Sequence, residues 1–436
     1  MDTSRLYDLF AQHPQVTTDS RACPADSLFF ALRGERFDGN DYAQAALAKG
    51  CACAVVDRPD KAGEDERMIV VDDTLKALQA LARQHRRTLG LPVIAITGTN
   101  GKTTTKELTA AVLKRKYHVL YTEGNLNNAI GVPLTLLRLT KEHQLAVIEM
   151  GASHPGDIKE LVDIAEPDYG LITNVGKAHL LGFGSFEGVV RTKGELYDYL
   201  QTHDGLAFVN EQDERLMSTC RVARQVLYGH NGSFIACDPT LRFSLKTEGG
   251  AKQKEVQTHL IGAYNLTNAL AAATMGTYFD VPMNDICEAI AAYTPTNQRS
   301  QLVSTPRNTL VLDAYNANPT SMHAAIENFA LLPSPHKLCI LGDMKELGEA
   351  SLEEHRQLCE RLATMGMEAW LVGEEFAQAA GNLPSTSLAA SPPPCLRLFS
   401  DVEAVSAELQ AHPLEGKTIL IKGSHSTRLY TLPAYL

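Results

Sequence analysis

The stretch Ile94-Ala-Ile-Thr-Gly-Thr-Asn-Gly-Lys-Thr-Thr-Thr105 decides how this chain is read. The apolar run from Val93 to Ile96 fits a buried strand, Gly98 to Gly101 break into a loop, and Lys102-Thr103 lead into a helix-competent stretch from Lys106 to Lys116. Strand, glycine-bearing loop and helix in that order make a cradle for phosphate. Glycines let backbone N–H groups approach the phosphates, and the helix N-terminus adds positive potential. Lys102 can reach the β and γ oxygens, and the Thr103 hydroxyl can sit on Mg²⁺. The loop is shorter than the usual pattern, with Ile96 rather than Gly five residues before Gly101. The bare string could also be a structural turn, but the flanking strand and helix favour a nucleoside triphosphate. Gly98, Thr99, Asn100, Gly101, Lys102, Thr103 and Thr104 are the expected contacts.

Outward from this segment the chain divides by texture. Residues 1–86 mix short strands (27–32, 51–56, 68–71) with helical stretches (42–49, 74–88), and Gly90-Leu-Pro92 punctuates the chain before the phosphate-loop strand. Residues 87–297 repeat apolar strands at 94–97, 118–122, 145–150, 170–175 and 206–209, with helical patterns between them, as parallel βαβ units require. The piece from about 226 to 261 alternates differently and is read as a small antiparallel addition. Residues 298–436 hold a second series, at 310–313, 338–341, 369–372, 396–399 and 418–422, which reads as a Rossmann-like doubly wound sheet. The expected fold is α/β in three domains: a small N-terminal one, a central ATPase-like parallel sheet and the C-terminal sheet. Ligands of such sheets collect at the carboxyl ends of strands, where Glu149, Asn174, Asp313, Gly342 and Gly423 fall.

A possible metal set lies at the same edge. Glu149 follows one strand, His179 another, and Lys193-Gly-Glu195 opens what reads as a helix. Each alone is ordinary, because a lone histidine after a strand is more often structural. Together, Glu149 and His179 lie past strands of the sheet that carries Lys102, so they can converge on its phosphates. An ammonium at Lys193 would repel a cation. A carbamate formed from CO₂ would invert that charge and offer the oxygen donors that Mg²⁺ prefers.

Bulk properties narrow the classes. The 436 residues exceed one compact core. The formal charge of −11, with acidic and basic residues interspersed, gives no basic stripe for nucleic acid or an anionic membrane. The amino terminus lacks the apolar core of a signal peptide, and no apolar run is long enough to span a bilayer. Nine scattered cysteines without a CxxC pair read as reduced thiols of a cytoplasmic protein.

The motifs TGTNGKTTT (97–105), GNLNNAIGVPLTLL (124–137), EMGASHPGDI (149–158), TNVGKAHL (173–180), TKGEL (192–196), GAYNLTNALAA (262–272), NQRSQ (297–301), DAYNANPTSM (313–322) and LGDMKELGE (341–349) together resemble the Mur ligases, in order and across nearly the whole chain. The resemblance implies an ATP-dependent carboxylate–amine ligase of peptidoglycan precursor synthesis, cytoplasmic and monomeric. The last two motifs point to addition of D-Ala-D-Ala to UDP-N-acetylmuramoyl-tripeptide. It implies two Mg²⁺ sites, one at Thr103 and one at Glu149, His179 and a carbamylated Lys193. Asn265 and Asn268 would lie near adenine, Arg299 near the phosphates, Asp313 at the ribose, and Tyr315 and Asn316 against the nucleotide. Ser20 and Arg21 would belong to the UDP-binding domain, and Asn127 and Asn128 would reach the muramoyl peptide. Lys422-Gly-Ser-His-Ser426 departs from the pattern, since a basic residue such as Arg is expected where His425 stands.

The expected chemistry passes the γ-phosphoryl group to a carboxylate, and an amine then captures the acyl phosphate. Three other readings stay open on sequence: a sibling ligase with a different amine substrate, a kinase acting on a hydroxyl, and a non-catalytic nucleotide sensor.

Overall fold

A computed structural model describes residues 2–246, 253–296, 299–381 and 396–436. The expected boundary at 297/298, and Asn297 and Gln298 of the NQRSQ motif, lie outside the described residues.

The phosphate-loop strand Val93–Thr97 is central in a six-stranded parallel sheet. The spatial order is Arg224–Tyr228, Leu206–Asn210, Tyr169–Ile172, Val93–Thr97, Leu145–Glu149 and Val119–Tyr121. All five residues of Val93–Thr97 and of Leu145–Glu149 are buried, as parallel strands covered on both faces require. Register sets the site: Ile172 pairs with Thr97 and Ile96 with Glu149, so both neighbours end level with the phosphate loop. On one face Ile94, Ile96, Val147, Leu171 and Phe208 pack under Lys102–Leu113 and Asn265–Tyr278. On the other, Val93, Ala95, Ala146 and Ile148 join a core that continues to Leu28, Phe30, Leu78 and Leu81 of the N-terminal region. That region is a four-stranded parallel sheet, Val16–Thr17, Leu28–Phe30, Cys53–Val56 and Met68–Val70. Its last helix, Thr74–Leu89, starts on the Asp73 side chain, which accepts from the Lys76 N–H, and stops at Gly90 with φ +64°.

Gly232–Cys237, Thr240–Lys246 and Gln253–Ile261 form the antiparallel addition. The C-terminal sheet orders its strands Gln301–Ser304, Thr309–Asp313, Thr418–Lys422, Lys337–Gly342, Ala369–Val372 and Leu396–Phe399. All its pairings are parallel except that of the first strand, which the sequence reading did not anticipate: Gln301–Ser304 is an edge with alternate residues exposed, so it carries no apolar run. Among the described residues no helix is long and apolar enough to cross a membrane.

Candidate active site

The phosphate loop is built by close approaches. Gly98 has φ +137°, and a Cβ there would stand 2.0 Å from Thr173 Oγ1; Gly101 has φ +80°, with Asn268 Oδ1 at 2.5 Å. Only glycine fits either position without displacing a partner. Asn174, just past its strand, clamps the loop. Its Oδ1 accepts from Asn100 N at 3.0 Å, and its Nδ2 donates to Asn100 O at 2.9 Å. Lys102 folds back, donating to Gly98 O at 2.8 Å and Thr99 O at 3.1 Å. Burial pulls its pKa down to about 8; Glu149 opposes this shift and Arg299 adds to it.

Beside the loop, the buried Glu149 carboxylate accepts from the Thr103 hydroxyl at 2.9 Å and from Asn127 Nδ2 at 2.8 Å. His179 sits in the left-handed region, φ +49°, with Nδ1 against the Glu346 carboxylate. Burial lowers its pKa, partly opposed by Glu346 and reinforced by the charges of Lys102 and Lys193. Lys193 corrects the sequence reading. It lies mid-helix in Phe186–Thr202, which starts at Ser185, whose hydroxyl accepts from Gly188 N at 3.1 Å. Gly194 is buried within that helix and does not break it, since one interior glycine costs a helix only about 1 kcal/mol. The Lys193 ammonium is buried, 5.6 Å from the Phe183 ring centre, and burial first, then the Lys102 charge, holds its pKa well below the usual lysine range. Glu195 turns instead to the start of helix Asp157–Ala165, accepting from Gly156 N and Lys159 N at 2.9 and 2.8 Å.

Across the cavity stands the C-terminal domain. Arg299 lies over the Tyr315 ring at 4.0 Å, and Lys422 Nζ donates to Asp313 Oδ2 at 2.6 Å. His425 stacks on Tyr430 and meets Tyr315 edge-on. Asn268 accepts from the Thr105 hydroxyl and donates to Asn265, tying helix Asn265–Tyr278 to the first turn of helix Lys102–Leu113. One cavity of about 600 Å³ is lined by Thr99 to Lys102, Thr104, Glu149, His179, Asn265, Asn268, Arg299, Asp313, Tyr315 and Asn316, with Asn127 and Asn128 also on its wall. Gly98, Thr103 and Lys193 are not on its lining. Ser20 and Arg21 are not on its lining either: Arg21 forks onto its neighbour Asp19 with two 2.9 Å hydrogen bonds on an exposed loop.

Three family models match the chain: the Mur ligase family catalytic domain over residues 14–86, the Mur ligase middle domain over 96–276, and the Mur ligase glutamate ligase domain over 298–425. The UDP-N-acetylmuramoyl-tripeptide–D-alanyl-D-alanine ligase of Escherichia coli is 36% identical over 429 residues, covering 95% of this chain and 91% of the relative. The chain belongs to the Mur ligase family. Among solved Mur ligases, MurF from Acinetobacter baumannii superposes with a TM-score of 0.83 at 34% identity, covering 96% of this chain and 92% of that one. MurF from Thermotoga maritima, in complex with ADP, gives 0.84 at 27% identity, covering 98% and 97%.

The donor set of this Mur ligase fits Mg²⁺ in a particular way. Among the described residues no three His, Cys, Asp or Glu side chains form a ready cage. Glu149 and the Thr103 hydroxyl instead present oxygen next to the phosphate loop, which suits an ion that keeps waters and completes its shell with phosphate oxygens. The sequence reading missed Asn174 as a loop clamp, Lys422 as the partner of Asp313, and Glu346 beside His179. The first two stood at strand ends and were findable there. Glu346 stood inside the LGDMKELGE motif, but its pairing with His179 had no signal, because its neighbour lies in another domain.

Proposed function

We propose that this Mur ligase joins D-Ala-D-Ala to the terminal carboxylate of UDP-N-acetylmuramoyl-tripeptide, with ATP giving ADP and phosphate, to yield UDP-N-acetylmuramoyl-pentapeptide for peptidoglycan. One observation carries the reading: phosphate loop, Glu149, Asn127 and the C-terminal wall face a single cavity. There a γ-phosphate and a substrate carboxylate can be held in line. Region 1–86 binds the UDP-sugar, 87–297 the ATP, and 298–436 closes over both. Ser20 and Arg21 remain assigned to the UDP end.

Lys102 exchanges its two carbonyl partners for phosphate oxygens and neutralises charge as the phosphoryl group moves. Thr103, Glu149, His179 and Lys193 would hold two Mg²⁺ ions, which supply charge neutralisation to the phosphates when bound. The depressed pKa leaves the Lys193 amine free to attack CO₂; the N–C bond forms, a proton leaves, and a carbamate with oxygen donors results. Asn265 and Asn268 face adenine, Asp313 the ribose, Arg299, Tyr315 and Asn316 the nucleotide, and Asn127 and Asn128 the muramoyl peptide. The protein acts as a cytoplasmic monomer. In an ADP-release assay, turnover requires both UDP-tripeptide and D-Ala-D-Ala, and L-lysine, diaminopimelate or glutamate do not replace the dipeptide. Without dipeptide, hydroxylamine traps the acyl phosphate; a stable phosphoester would mean a kinase.

A further inference from the structure

The loop from Asn174 to Leu181 touches two domains at once. On one side Asn174 holds Asn100, and Gly176 N donates to Thr99 Oγ1 at 2.9 Å, so the loop is part of the phosphate cradle. On the other it meets the C-terminal domain, with Thr320 packed on Gly176 and the 346–354 segment against the rest of the loop. Lys177 donates to the buried Glu354 at 2.6 Å, Leu181 N donates to Glu346 O at 3.2 Å, and His179 Nδ1 lies against the Glu346 carboxylate. That last contact is close but lies off the hydrogen-bond axis. The segment bearing Glu346 is pinned by its own domain. Met344 N donates to His355 Nε2, Lys345 N to Ser424 Oγ, both at 3.0 Å, and Lys345 Nζ binds Asp343 at 3.0 Å. Glu346 itself has φ +65°, a left-handed conformation that costs a non-glycine residue about 1 kcal/mol or more.

A metal-binding histidine usually gives its second ring N–H to a carboxylate, which fixes the tautomer and the ring plane. Resting on the metal role proposed for His179, we infer that Glu346 is a positioning residue for that imidazole, supplied by the C-terminal domain. The second metal position is then complete only when the C-terminal domain is docked, which ties metal occupancy to closure of the cavity.

The test is Mn²⁺ binding to the full-length protein with ADP present, followed by electron paramagnetic resonance, for wild type, Glu346→Gln and His179→Ala. Glu346→Gln weakens the His179-dependent site by about tenfold or more. It leaves ADP affinity without metal unchanged, which a merely structural defect would not. If Glu346→Gln binds Mn²⁺ as wild type does while His179→Ala is weakened, the positioning role is wrong and the metal site stands. If His179→Ala also binds as wild type, the metal reading of His179 falls, and this inference with it.

Discussion

Two lysines face the same cavity, one from a helix start of the central domain and one from a strand end of the C-terminal domain, and their partners differ. Lys102 spends its donors on the neutral carbonyls of Gly98 and Thr99, while the nearby Glu149 is held by the Thr103 hydroxyl and the Asn127 amide. Lys422 is bound directly to Asp313 at 2.6 Å and reaches Asn316 O at 3.3 Å. The first cation keeps its charge for a ligand and has its pKa drawn down while it waits. The second is neutralised within the protein and fixes the 313–316 loop. A site that binds phosphate leaves one charge unmatched; a wall that shapes the cavity does not.

Several measurements break or sharpen this contrast. Lys102→Ala lowers ADP release by roughly a thousandfold or more, as loss of a phosphate-stabilising cation does elsewhere. Binding of the UDP-tripeptide, followed calorimetrically, stays near wild type; equal loss of both would make Lys102 structural. Lys422→Met leaves the half-buried Asp313 without its counter-charge and costs about 1.5–3 kcal/mol, the range for a hydrogen bond to a charged group. Lys422→Met combined with Asp313→Leu recovers most of the loss in thermal unfolding, and no recovery would show that the pair is not what stabilises the wall. Lys193→Ala lowers turnover about a hundredfold, and a short carboxylate such as acetate restores part of it; activity near wild type without rescue removes the carbamate.

The smallest effect is protonic. With Lys102 at about 8, ATP binding near pH 8 takes up about half a proton, because triphosphate favours the ammonium, and near pH 6.5 takes up almost none. Titration calorimetry in buffers of different ionisation heat reads this, and Lys102→Met abolishes it. In the ligand-free protein the same group makes stability rise between about pH 8 and 10.5. There the unfolded chain binds a proton that the folded chain does not.

The central site was legible because its parts are local. Strand, loop and helix lie within residues 93–113, and the glycines that permit close approach are in the same dozen positions. The five parallel C-terminal strands were equally plain, two of them ending at Asp313 and Lys422 as expected, while the antiparallel edge Gln301–Ser304 was not. The Lys193 helix was misjudged at its start because the Ser185 cap outweighed the glycine at 194. Ser20 and Arg21 could not be placed because their loop owes its position to Asp19 and not to the cavity.

The amino-acid sequence alone determined the order of strands and helices, the phosphate loop and the acid that follows the next strand, since hydrophobic period and glycine placement act over a few residues. Tertiary structure decided which charges were left free. Among the described residues Lys102 has no carboxylate partner, while Lys422 is paired and His179 meets Glu346 because sheet register and domain docking bring together residues over a hundred positions apart, and electrostatic energy depends on distance in space, not along the chain.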